Sequence, residues 1–136
     1  MNARVTLTVV QGVQPGREYD FDGRMICTVG RAGDCSLQLP NDFIHLDVSR
    51  HHCLLDVDPP HVRVRDLGSR NGTYVNGEKI GQRPSDTSPE EADLSQFEAY
   101  DLKDGDVIRV GNAVLLVGVV LDVDVLEPSS VPMFFV

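Results

Sequence analysis

The segment Asp66-Leu67-Gly68-Ser69-Arg70-Asn71-Gly72-Thr73-Tyr74-Val75-Asn76-Gly77 holds two Asn-Gly pairs, at 71–72 and 76–77. Asn and Gly accept positive φ at little cost, so each pair marks a tight turn. Thr73-Tyr74-Val75 and Glu78-Lys79-Ile80 flank the second pair and read as the two arms of a short hairpin. Two tight turns in a β protein would account for the glycines. They do not account for Ser69-Arg70-Asn71, which puts a hydroxyl, a guanidinium and a carboxamide in succession on one turn. Together these groups can donate to an anion and to the main chain beside it.

Outward from that segment the chain alternates as strands do. Val5, Leu7 and Val9 alternate with Thr6, Thr8 and Val10, a half-buried strand, and Pro15-Gly16 makes the first turn. Glu18 to Phe21 pairs back, Asp22-Gly23 turns again, and Met25 to Val29 is a buried strand ending at Gly30-Arg31. Ser36 to Leu39 is a short strand stopped by Pro40, and Asn41 to Val48 is a loop delivering Ser49. Cys53 to Val57 and His61 to Arg65 are two strands joined through Pro59-Pro60, with Val62 and Val64 on one face and Arg63 and Arg65 on the other. Val107 to Val110 turns at Gly111-Asn112 into Ala113 to Val120. The expected fold class is all-β: an antiparallel β-sandwich of two twisted sheets with ligand-binding loops at one end. The helix-start pattern is Ser88-Pro89-Glu90-Glu91, with Ser at the N-cap and Pro at the first helical position. It lies in the segment from Gly81 to Tyr100, and the expected domain runs over 1–127 with 128–136 as a tail or linker.

Composition narrows the function classes. The 136 residues are enough for one domain with a real core, and 41% hydrophobic with 24% charged residues suits a globular chain. A net charge of −9 opposes nonspecific binding to nucleic acid or to an anionic membrane surface, so neither partner is expected. Met1 to Arg4 leads straight into the first strand, so no signal peptide is expected, and the apolar run from Ala113 to Leu121 is too short to span a bilayer. Cys27, Cys35 and Cys53 are odd in number and lack a Cys-x-x-Cys pair, which argues against a disulfide framework and for a reducing cytoplasm.

Gly30-Arg31, then Ser49 with His52 three residues on, then Ser69-x-Asn71-Gly72-Thr73 and Asn76-Gly77, in this order and spacing, resemble the forkhead-associated (FHA) domain. The resemblance runs from about Val5 to about Val125 and implies that Gly81 to Tyr100 is an insertion, after which Leu102, Gly105-Asp106, Ile108 and Gly111 rejoin the pattern. It implies a phosphothreonine-dependent interaction module that binds phosphorylated peptides. On its terms Arg31, Ser49, Arg50 and Arg70 contact the phosphate, and Asn71 hydrogen-bonds the ligand main chain next to phosphothreonine. Gly30, His52, Gly72 and Asn76 shape the loops. It implies a partner carrying phosphothreonine, a Ser/Thr kinase or its substrate, with the module itself monomeric, non-enzymatic and without cofactor. The alternative within the same family is a phosphate-independent assembly domain of a larger signalling or secretion protein. A phosphothreonine side chain carries about −1.5 to −2 charge and three acceptor oxygens, which Arg meets with a planar bidentate fork.

Plain surface chemistry competes with these assignments. Arg31, Arg50 and Arg70 could be solvated charges or partners of Asp34, Asp47 or Asp66. Ser69 reads as a turn cap, and His52 as a backbone hydrogen-bonding group. Cys53 beside His51-His52 suggests a nucleophile and base, but adjacent strand residues face opposite ways, so a buried Cys53 is the better account. Cys35, His45, His51 and His52 lack the close-paired spacing of a zinc site, and no metal is expected. Asp42 and Asp47 lie close to the proposed site and would disfavour some anions. Asp86-Thr87-Ser88-Pro89 has the composition of an exposed, kinase-accessible loop, so the insertion is expected to tune access, with Thr87 as a candidate built-in ligand.

Overall fold

The computed structural model describes residues 2–12, 15–40, 47–84, 86–88 and 97–122. These form eleven strands and no helix. They are β1 (Asn2–Gln11), β2 (Glu18–Phe21), β3 (Met25–Gly30), β4 (Leu37–Gln38), β5 (Cys53–Asp58), β6 (His61–Asp66), β7 (Thr73–Val75), β8 (Glu78–Gly81), β9 (Tyr100–Asp101), β10 (Val107–Val110) and β11 (Ala113–Asp122). A six-stranded sheet has the order β2-β1-β11-β10-β7-β8, and a five-stranded sheet the order β4-β3-β5-β6-β9. The tail at 128–136, Asp42, His45 and the Pro89 to Gln96 part of the insertion fall outside the described residues.

Period-two patterning decides which face each strand buries. Val5, Leu7 and Val9 of β1 pack inward against Ala113, Leu115 and Val117 of β11 and against Ile108 and Val110 of β10. The second sheet supplies Cys27 and Val29, Cys53, Leu55 and Val57, and Val62 and Val64. The long apolar run of β11 is alternating in practice: Leu115 is buried while Leu116 and Val120 face outward. Thr73-Tyr74-Val75 and Glu78 onward do form a hairpin, β7–β8, turning at Asn76 (φ 52°) and Gly77.

One pair departs from the antiparallel expectation: β4 runs parallel to β3, with Val29 opposite Leu37 and Gly30 opposite Gln38. A parallel connection ordinarily needs a dozen or more residues. Here residues 31–36 suffice, because the two strands overlap only at the end of β3. That short return places Arg31 at the end of β3, between β4 and β5.

Candidate phosphopeptide-binding site

Strand register brings the motif residues together. In the five-stranded sheet Val29 lies opposite Cys53, and Cys53 opposite Asp66. The end of β3, the start of β5 and the end of β6 therefore lie side by side, and the segments 30–36, 47–52 and 67–72 leave the sandwich at one end. The ladder continues into them: His52 N–H donates to the Val29 carbonyl (2.8 Å), Leu67 N–H to that of His52 (2.9 Å), Arg31 N–H to that of Ser49 (3.2 Å) and Ala32 N–H to that of Arg50 (3.0 Å). Gly30 permits this approach, since a Cβ built there would overlap the Arg50 carbonyl and sit 3.0 Å from that of Ser49.

Beneath the loops lie four buried polar residues, His52, Asp66, Ser69 and Thr73, each fully enclosed. His52 Nδ1 accepts from Ser49 N–H (3.0 Å), so its Nε2–H donates to the Gly72 carbonyl (2.8 Å). The neutral ring thus ties the Ser49 loop to the Gly72 turn. Burial holds its pKa below the ordinary 6.5, against the opposing pull of the Gly72 hydrogen bond and the Asp66 charge. Asp66 accepts from Gly68 N–H and Ser69 N–H, both 2.8 Å, from the Thr73 hydroxyl at 2.6 Å and from the Ser69 hydroxyl. Ser69 Oγ accepts in turn from Gly72 N–H (2.9 Å), which places Gly72 at φ +92°. This is the capping arrangement the Ser69 position suggests. It also removes Asp66 as a surface partner for the arginines, because both its oxygens are engaged inside the loop.

Above this layer stand the groups open to solvent. Arg50, Arg70 and Asn71 are exposed, and Arg31 and Ser49 half-buried. Arg31 Nε donates to the Val48 carbonyl, which fixes the plane of its guanidinium. Ser49 Oγ accepts from Arg70 N–H (2.9 Å), and Asn71 Nδ2 donates to the Asp47 carbonyl (3.0 Å). Ser49 is therefore a bridge between loops, and its own O–H proton is not used in that bond. Among the described residues neither Arg50 nor Arg70 forms an ion pair; Asp34 is hydrogen-bonded to His51, at 2.8 Å. The His51 bond, chiefly, holds the Asp34 carboxyl below its usual range.

Asn76 stands apart from this group. Its Nδ2 donates to Asp106 (3.0 Å) and its Oδ1 accepts from Val107 N–H (2.9 Å), so it pins the β7–β8 turn to the start of β10. Gln82 belongs to the site's supports and was not foreseen: its Nε2 donates to the Arg70 carbonyl (2.7 Å), while Arg83 N–H donates to that of Ser69 (2.8 Å). Nothing in its sequence context marks it. Asp66 and Thr73 could have been found, since both lie inside the quoted segment at turn-capping distance from Ser69. The insertion departs from this point; its Thr87 hydroxyl lies 3.3 Å from Asp86 Oδ1. Cys53 has no exposure and burial drives its thiol pKa far up; Cys27, also buried, is pushed up to about 11. Full burial fits Cys53 as a small core hydrophobe.

The chain matches the FHA domain family over residues 27–111. Two curated relatives come from Mycobacterium tuberculosis. The ABC transporter ATP-binding/permease protein Rv1747 is 33% identical over 84 residues, 62% of this chain and 7% of that protein. The FHA domain-containing protein FhaA is 32% identical over 114 residues, 83% of this chain and 17% of that protein. The chain thus spans less than a fifth of either relative's length. Among solved structures, an FHA domain from a study of phosphothreonine-dependent FHA domain interactions superposes with TM-score 0.62 at 29% identity, covering 85% of this chain and 95% of that one. With the family match spanning 85 residues from 27 to 111, the two-sheet sandwich and the Arg-Ser-Asn loop cluster at one end, this chain belongs to the FHA domain family.

Proposed function

We propose that this domain recognises phosphothreonine in partner proteins, with Arg31, Ser49, Arg50 and Arg70 gripping the phosphate and Asn71 holding the peptide main chain. The observation that carries the reading is the layered end of the sandwich. Donor side chains from three separate loops face one rim, and a buried His52–Asp66–Ser69 layer holds those loops in place. A preorganised donor set spends less binding energy on ordering itself. Arg31, with its guanidinium plane fixed, and the exposed Arg50 and Arg70 supply charge. The Ser49 hydroxyl accepts from the Arg70 amide and donates its own proton to a phosphate oxygen. Asn71 uses one amide proton on Asp47, leaving its carbonyl oxygen to accept from a peptide N–H.

The module reads a phosphate already installed and performs no transfer itself. The sandwich over 1–127 acts as the binding unit, and its partner is a kinase or kinase substrate in the longer assemblies such domains serve. Titration of the purified chain with phosphothreonine peptides, against the same peptides unphosphorylated, tests the reading. Saturable binding that phosphatase treatment removes is the expected result. Binding that survives dephosphorylation would assign the chain to phosphate-independent assembly instead.

A further inference from the structure

The β3–β4 turn and the Ser49 loop bring three chemically different metal donors to one point. Asp34 and Cys35 come from the turn closed by Cys35 N–H on the Ala32 carbonyl (3.1 Å), and His51 comes from the loop before β5. A carboxylate oxygen of Asp34, Sγ of Cys35 and a ring nitrogen of His51 all lie within 4.8 Å of one another. We infer that Asp34, Cys35 and His51 form a binding site for a zinc-class divalent ion, with three protein ligands and a fourth position open to solvent.

The geometry is close to what such an ion needs. Bond lengths of about 2.0–2.3 Å in a tetrahedral shell set donor–donor separations near about 3.5 Å. His51 Nε2 and Asp34 Oδ1 are already 2.8 Å apart and would open by a small side-chain rotation around the ion. The thiol enters from a buried residue, while the His51 and Asp34 side chains are 49% and 74% exposed, so an ion reaches the donors from solvent without opening the fold. A mixed thiolate, imidazole and carboxylate set favours zinc over magnesium or calcium, which take oxygen donors.

The protons balance simply. Without metal the Cys35 thiol donates to the Arg50 carbonyl at 3.2 Å, and His51 hydrogen-bonds Asp34. On binding, Cys35 releases its proton to solvent and coordinates as thiolate. His51 shifts its N–H to Nδ1 and offers the Nε2 lone pair, and Asp34 coordinates as carboxylate. The complex with a divalent ion is then locally neutral. It cross-links the turn beginning at Arg31 to the loop holding Ser49 and Arg50, two of the three loops at the rim. The site is independent of the phosphopeptide reading and stands or falls separately from it.

The test is titration of the reduced, metal-free chain with Zn²⁺ by calorimetry, and with Co²⁺ by absorption. Expected are one equivalent of zinc per chain, a raised unfolding midpoint, and a thiolate-to-cobalt charge-transfer band. Cys35→Ser removes the band, and His51→Ala, a change at an exposed side chain, weakens zinc binding by more than about tenfold, the scale on which even outer-shell partners act. If Cys35→Ser fails to fold, His51→Ala and the cobalt spectrum of the unaltered chain decide the matter. Absence of saturable zinc binding, a cobalt complex without a thiolate band, or binding unchanged in His51→Ala overturns the assignment.

Discussion

Replacing His52 with Leu keeps most of the side-chain volume and removes two hydrogen bonds that nothing else in the loops supplies. In the structure Nδ1 satisfies Ser49 N–H and Nε2–H satisfies the Gly72 carbonyl, with the ring fully buried. Each partner left buried without a hydrogen bond costs about 1–3 kcal/mol. The Gly72 carbonyl carries that cost in full and the half-buried Ser49 N–H only part of it, so the sum, about 2–4 kcal/mol, is a large part of the roughly 5–15 kcal/mol that stabilises a domain of this size. The variant should fold with a much lower denaturation midpoint and bind phosphothreonine peptide more weakly, because Ser49 and Gly72 are no longer held to each other. A pH signature separates this from general damage. The folded pKa of His52 lies below the unfolded 6.5, so the unfolded chain binds the proton more readily. The contribution of His52 to stability is complete above about pH 6.5 and is lost as pH falls through its lowered folded value. Urea denaturation at pH 7.5 and pH 5.5 should show the unaltered chain losing more stability than His52→Leu over that interval. Equal losses, or a variant as stable as the parent at pH 7.5, would refute the argument that this ring is the buried tie between loops.

Arg31→Ala should lower phosphopeptide affinity at least about tenfold by calorimetry, from about 1.5–3 kcal/mol for a charge-assisted bond, while the chain still folds with a modest loss of stability from the missing bond to the Val48 carbonyl. Ser49→Ala should cost less affinity than Arg31→Ala but should also lower the unfolding free energy by about 1 kcal/mol, since it strips the acceptor for Arg70 N–H as well. Gly30→Ala should destabilise the chain by at least about 1–3 kcal/mol in denaturation, because the new methyl overlaps the Arg50 carbonyl and must push the Ser49 loop away. Matched phosphothreonine and phosphoserine peptides should differ by about 0.8 kcal/mol, roughly fourfold, in favour of threonine if its methyl is buried in the site; equal affinities would remove that contact.

Much of this domain was legible before any coordinates. The alternation of Val5, Leu7 and Val9 and of Val62 and Val64 marks inward faces because a strand's side chains repeat every two residues, a local property. The Asn76-Gly77 turn is local too: it depends on which residues accept positive φ. Other features depend on contacts across the fold. The parallel β3–β4 pair could not be seen, because its cause is an overlap of two residues at a strand end rather than a composition. Asp66 looked like a candidate partner for an arginine, and only the return of the loop on itself shows four donors already occupying it. Cys35, His45, His51 and His52 lack metal-site spacing in the sequence, and Asp34 was not weighed with them; 15 residues lie between Cys35 and His51, and only the pairing of Val29 with Cys53 brings the loops of Asp34, Cys35 and His51 together. Sequence thus determined the elements and the identity of the donor residues, through short-range sterics and the period of the strand. Tertiary structure decided which donors share a rim and which are used up beneath it, because convergence depends on register between strands distant in the chain.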